Sequence, residues 1–155
     1  MNLTFEDKQN IFKLIDQMLE QDLTELQRLI NQADQESINA PGKMQSWSDT
    51  SKDEYANVRN SLQKVFTEKQ GLHNQIKLLE VKVTDTIGVG SIFSVNEGDI
   101  YIVLPIGGLG KIKYQDADIL VVGANAPLYS AIQGLSNGQQ FTWPNGKESI
   151  IEHII

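Results

Sequence analysis

Residues 55–79 read YANVRNSLQKVFTEKQGLHNQIKLL. Apolar residues fall at Tyr55, Val58, Leu62, Val65, Leu72, Ile76 and Leu79, in steps of three and four, with Lys69 the one off-type position. That spacing is a heptad seam, the mark of a helix packed along another helix. Working back toward the N-terminus, Phe12, Ile15, Leu19, Leu23, Leu26, Ile30 and Ala33 repeat it. Asn39-Ala40-Pro41-Gly42 lies between the two seams, and Pro and Gly together end a helix and turn a chain. The front half therefore predicts a long antiparallel helical hairpin. Thr4 and Asp7 form a loose capping box that starts the first arm, which runs to Ser37 or Ile38. The second arm starts at Asp49 or Ser51 and runs to Leu79. Gly71 inside it costs roughly 1 kcal/mol against alanine, and would allow a bend or a close approach of the first arm.

After Glu80 the period changes. Val81-Lys82-Val83-Thr84 alternates as a strand does. Further strands are predicted over Ser91–Val95, Asp99–Leu104, Lys111–Tyr114 and Ile119–Val122. Asn96-Glu97-Gly98-Asp99 and Gly107-Gly108 read as hairpin turns between strands. Pro127, Leu128, Ala131 and Ile132 mark a short helix, with Asn125 as its cap and Gly134 as its stop. Gln139–Trp143 and Ser149–Ile154 form a last hairpin across Asn145-Gly146, a pair favoured in type I′ turns. The predicted class is α+β: a coiled-coil hairpin over 1–79, then a small antiparallel β domain with one short helix over 80–155.

Composition narrows the function. The 155 residues carry a net charge of −7. The acidity is spread, with 9 basic against 13 acidic residues in 1–80 and 4 against 7 in 81–155. Autonomous DNA binding needs a cationic surface, so a protein partner is the expected target. There is no cysteine, hence no disulfide and no thiolate metal site. The absence of a long apolar run or a secretory pattern leads us to expect a cytoplasmic protein without a membrane segment.

Few residues carry chemistry. Gly107-Gly108-Leu109-Gly110-Lys111 resembles a phosphate loop only on the surface: Pro105 stands at the first glycine position and Ile112 at the hydroxyl position, and strand-like residues follow. His73, beside Leu72, reads as an exposed helix residue, and His153 falls in the last strand; neither has a histidine or cysteine near it in sequence. Asp49, Asp53 and Glu54 precede the seam at Tyr55. Asp49 and Asp53 are four apart, so on a helix they share a face and can offer oxygen ligands to Mg²⁺. The plainer reading is equally physical: carboxylates in a first turn are favoured by the helix dipole.

The whole chain resembles the bacterial Gre transcript-cleavage factors. The match lies in Ala124-Asn125-Ala126-Pro127-Leu128-Tyr129-Ser130-Ala131-Ile132-Gln133-Gly134-Leu135-Ser136-Asn137-Gly138, similar to the family's Ser-Pro-Leu-x-x-Ala-Leu-x-Gly-x-x-x-Gly-Asp segment. Phe141-Thr142-Trp143, the Asn145-Gly146 turn and the Ile-rich last strand also fit. The resemblance implies an FKBP-like C-terminal domain that docks on the rim of the secondary channel of RNA polymerase, with Pro127 and Leu128 as docking residues. Leu128 could equally be core, and Pro127 a plain helix start. It further implies that the hairpin tip enters the channel and meets the RNA 3′ end only inside the polymerase complex. Tip carboxylates would share a Mg²⁺ at the polymerase active site, with no tightly bound cofactor of the factor's own. The factor would be an accessory in transcription elongation and not itself an enzyme. The family's tip has an Asp and a Glu three apart. Ungapped alignment on Glu54 and Tyr55 puts Ser48 and Ser51 at those positions; Asp49 is one residue off and is placed by a short gap, while Asp53, at a position not acidic in the family, would have to substitute for the second carboxylate. Lys43 and Lys52 are candidate contacts to RNA or polymerase. The alternatives are a channel-binding regulator or inhibitor without cleavage activity, or a general protein-interaction module.

Overall fold

The computed structural model describes residues 2–39, 48–96 and 98–155, with side chains left undescribed over 37–53. The predicted turn at Ala40-Pro41-Gly42, Lys43 and the side chains of Asp49, Lys52 and Asp53 therefore lie outside the described residues. The order is α1 (Phe5–Asn39), α2 (Ser48–Leu78), β1 (Ile92–Val95), β2 (Asp99–Leu104), β3 (Lys111–Tyr114), β4 (Ala117–Gly123), α3 (Pro127–Ile132), β5 (Gln140–Thr142) and β6 (Glu148–Ile154). The α+β class of the sequence reading is the observed one: a long helical hairpin and a six-stranded, mainly antiparallel sheet with one short helix. Two compact units divide the chain. One is Asp16–Asn74; the other joins Met1–Ile15 to Gln75–Ile155.

Within Asp16–Asn74 the two helices run antiparallel, as their cross-pairs show. Arg59 Nε donates to Asp34 Oδ1 at 2.9 Å, Lys69 Nζ to Asp22 Oδ2 at 2.7 Å, and His73 Nε2 lies 2.7 Å from Asp16 Oδ1. As the α2 number rises, the α1 number falls. The α1 seam is the predicted one, with Leu19, Leu23, Ile30 and Ala33 buried. The α2 seam is the predicted one in part: Leu72 and Ile76 are buried and Tyr55, Leu62 and Leu79 partly so, but Val58 and Val65 are 51% and 40% exposed. A second column through Tyr55, Arg59, Leu62, Phe66, Lys69 and His73 is also partly or fully buried. It keeps the heptad spacing but admits three polar residues, each matched by an acid on α1. His73, expected at the surface, is buried at 4% exposure. A Cβ at Gly71 would meet nothing within 4 Å, so the expected close approach of the first arm does not occur there.

In the other unit the strand order is β3-β4-β2-β1-β6-β5. β2 pairs with β4 in parallel and the remaining neighbours are antiparallel. This overturns the reading of Gly107-Gly108 as a hairpin turn. β4 inserts between β2 and β3, so the glycine-rich segment is a crossover, and the β3–β4 hairpin closes over Gln115 and Asp116. A Cβ at Gly123 would meet the Gly107 backbone and come 2.5 Å from Asn125 Oδ1, so two backbones touch where the crossover passes the end of β4. Alternate residues of β2 face opposite sides of the sheet and both sets are buried: Tyr101 and Val103 on one side, Ile100, Ile102 and Leu104 on the other. The first side carries the core of Phe93, Val95, Val122, Ile132, Phe141 and Ile151.

The base of α1 is tied into this unit by the predicted capping box. Thr4 N and Oγ1 donate to Asp7 Oδ2 at 2.8 and 2.9 Å, and Asp7 N donates to Thr4 Oγ1 at 3.2 Å. Tyr114 Oη donates to the other Asp7 oxygen at 2.9 Å. The Thr4 amide, then Tyr114 and the Thr4 hydroxyl, hold the Asp7 carboxyl below its ordinary value. Lys8 is buried at 1% exposure and donates to the Lys82 carbonyl at 2.6 Å. Burial, and then the charge of Lys82, push its amine down to about 8.

Three local expectations fail for stated reasons. Val81–Thr84 forms no strand: Val83 is 64% exposed, and the Lys82 carbonyl is used by Lys8 and not by a neighbouring strand. Asn125 does not cap α3. Proline forces the residue before it into extended backbone, so Ala126 (φ −81°, ψ 148°) becomes the N-cap, without a side-chain bond. Asn145-Gly146 is not a type I′ turn, because only Gly146 has positive φ. Gly146 N donates to Trp143 O at 2.9 Å, which places Pro144 at the second turn position and Gly146 at the fourth. That is the pattern of a type I turn closed by a left-handed glycine.

Candidate functional site

The predicted tip acids fall at the start of α2. Asp49 and Asp53 are the second and sixth residues of a helix that begins at Ser48, so the four-residue spacing does lie on helical backbone. The first turn of a helix has free N–H groups and favours negative charge. Glu54, one residue further on, is exposed.

The second predicted site surrounds α3. Pro127 occupies the first helical turn, where its missing N–H costs nothing, and its ring is exposed. Leu128 is half-buried and packs on the sheet core. The proline thus offers surface, while the leucine is shared between surface and core. Ala126, Tyr129, Leu135 and Trp143 are likewise partly buried against that core, giving α3 an apolar rim that the sequence reading does not single out. Helical spacing within so short a segment is too brief to show it. Gly134 ends α3 as expected, with φ +79°, and its N–H donates to Ile87 O at 2.8 Å.

Beneath the rim the aromatic rings are fixed in place. Phe93 stacks on Tyr101 with centroids 5.3 Å apart, and Trp143 contacts Tyr101 at 5.5 Å and Phe141 at 5.1 Å. Trp143 Nε1 donates to Ser149 Oγ at 2.6 Å, and Asn96 Nδ2 donates to the same oxygen at 2.7 Å. Burial, with a smaller contribution from Asp99, raises the Tyr101 hydroxyl above its ordinary value. A phenol held protonated against stacked rings is a packing element and a poor base.

A third cluster went unseen in the sequence. Asp16, Glu20 and His73 bring one donor atom each to within 4.8 Å of one another. Sequence spacing does not reveal it, because the carboxylates come from the arm opposite the histidine. His153 takes no part; its Nε2 lies 3.3 Å from the Leu3 carbonyl.

Among the described residues, no helix is long and apolar enough to cross a membrane. No protein-family profile matches the chain, and neither does any curated protein sequence. Two solved structures are similar over 92% of each chain. One is described as the transcription factor Gfh1, at 15% identity and a TM-score of 0.34. The other is Gfh1 from Thermus aquaticus, at 16% identity and a TM-score of 0.34. Similarity at this level identifies neither family nor function.

Proposed function

We propose that this chain is a transcription factor that binds bacterial RNA polymerase, docks through the α3 rim at Pro127 and Leu128, and delivers the hairpin tip into the secondary channel. The observation that carries the reading is the shaft itself. Two antiparallel helices are cross-paired from Asp16–His73 to Asp34–Arg59, and α2 begins eleven residues before the last of these pairs, at Ser48. Residues 16–39 alone span about 35 Å at the helical rise. The 124–138 segment, with its exposed Pro127, supports the same partner. In this reading Asp49 and Asp53, with Glu54 beside them, share a Mg²⁺ with the polymerase, and the ion supplies activated water for cutting backtracked RNA. The factor is an accessory, and the polymerase is the enzyme.

A second reading keeps the partner and reverses the outcome. Ser48 and Ser51 stand where the Gre family carries its acidic pair, which favours a regulator that occupies the channel without promoting cleavage. A backtracked elongation complex with Mg²⁺ separates the two. Added protein should shorten the transcript, and Asp49→Ala with Asp53→Ala should abolish the effect. Binding with no cleavage, together with reduced output from a complex that is not backtracked, would establish the inhibitor. Failure to bind core polymerase would sink both.

A further inference from the structure

We propose that Asp16, Glu20 and His73 form a binding site for one first-row divalent cation, Zn²⁺ foremost, clasping the two arms of the hairpin. This stands apart from the polymerase reading and from the tip acids.

Asp16 and Glu20 are one turn apart on α1 and present their carboxylates on one face. His73 enters from α2, with Nε2 lying 2.7 Å from Asp16 Oδ1 and 4.0 Å from Glu20 Oε1. A tetrahedral ion with bonds of about 2.0–2.2 Å holds its ligands roughly 3.3–3.6 Å apart. The observed distances straddle that value. Opening the Asp16 contact and closing the Glu20 contact, each by less than about an ångström, brings both to the imidazole at that spacing, and the two carboxylate oxygens, within 4.8 Å of each other, draw together around the ion. Only side chains need move, because all three residues sit on helices.

The arrangement differs from the other cross-pairs of the shaft. Asp34 and Asp22 each meet one permanent cation, Arg59 and Lys69. Here two carboxylates meet a single imidazole, which in either protonation state balances at most one of them. The Glu20 carboxylate has no other described partner. A dication supplies the missing charge. The His73 side chain is 5% exposed, whereas those of Asp16 and Glu20 are 37% and 57% exposed. The nitrogen ligand is therefore held in place while the oxygen side opens to solvent, giving an entry path and room for a water as fourth ligand. One imidazole with two carboxylates suits Zn²⁺ and its transition-metal neighbours, whereas Mg²⁺ takes oxygen ligands in an octahedron.

The test uses the full-length chain, freed of metal by chelation and titrated with Zn²⁺ in a calorimeter, and with Co²⁺ in a visible spectrometer. Zn²⁺ should bind one per chain and raise the thermal midpoint, and Co²⁺ should give the absorption of a low-coordinate site. Glu20→Gln should weaken Zn²⁺ at least ~10-fold. That variant changes an exposed carboxylate and leaves the Asp16–His73 bond intact, so it decides the matter even if His73→Gln misfolds. The double variant Asp49→Asn/Asp53→Asn should retain the site. No midpoint shift at millimolar Zn²⁺, or equal binding by Glu20→Gln, would overturn the proposal. Loss of binding in the tip variant would do the same, by assigning the ion to the tip.

Discussion

In the sheet, Phe93, Ile102, Val103, Leu104, Ile119 and Ile151 are at most 1% exposed, and apolar side chains fill the interior on both faces of β2. In the hairpin, Arg59, Lys69 and His73 occupy seam positions of α2, while Val58 and Val65 face outward. Two kinds of interior therefore share one chain. The sheet is specified by area removed from water, which has no directional demand. The shaft adds charged pairs to its apolar seam, and each pair needs its acid at the right height. An interior of the first kind depends on volume; one of the second depends on register.

The largest break in this contrast should come from Phe93→Ala. Removing a ring that stacks on Tyr101 inside the sheet core should cost about 3–5 kcal/mol, read from urea unfolding of the sheet. A loss under about 1 kcal/mol would show that the core collapses around the gap.

Among the described residues of the sheet unit Lys8 is the buried ionisable exception, beside the buried hydroxyls of Ser91 and Ser149, and pH tests it. Its amine falls from 10.5 to about 8 in the folded protein, so between those values the unfolded chain binds more protons. Stability contributed by this group therefore rises as pH climbs from about 8 toward 10.5, and below that window the folded state carries the cost of a buried charge. Lys8→Met should raise stability at pH 7 by about 1–2 kcal/mol and flatten that rise. A Met variant less stable at pH 7 would mean that the 2.6 Å bond to Lys82 O outweighs the desolvation.

The smallest effect is the most diagnostic of the shaft. Val65→Ser should change stability by no more than about 0.5 kcal/mol, since the side chain is already 40% exposed. A loss of 2 kcal/mol or more, on the order of a buried valine, would return Val65 to the seam.

How much of this could be read in advance follows from the same contrast. The strands Asp99–Leu104 and Lys111–Tyr114 coincide with their predicted limits, because β-branched runs bounded by turn residues carry their pattern locally. The α1 seam was legible for the same reason. The α2 seam was legible at Leu72 and Ile76, which are buried, but not at Val58 and Val65, which are exposed. Nor was the inward placing of Arg59, Lys69 and His73, which answers to acids 25, 47 and 57 residues away in sequence. The strand order was hidden too, since nothing local tells a glycine-rich crossover from a glycine-rich hairpin turn. Of the candidate sites, Asp49 and Asp53 were legible as a helix-start pair, and Pro127 as a first-turn residue. The Asp16–Glu20–His73 cluster depends on packing and could not be read from spacing.

The contact between Gly123 and the crossover bears on how sequences of this fold can diverge. At Gly107 an added methyl would find ordinary contacts at 3.6 Å, but at Gly123 it would strike backbone. The two partners of one contact therefore tolerate change unequally. As relatives drift apart, Gly107 is free to become alanine, while Gly123 stays glycine for as long as β4 remains threaded between β2 and β3. A single invariant glycine at the end of that strand would mark the topology in chains whose hairpins no longer resemble this one.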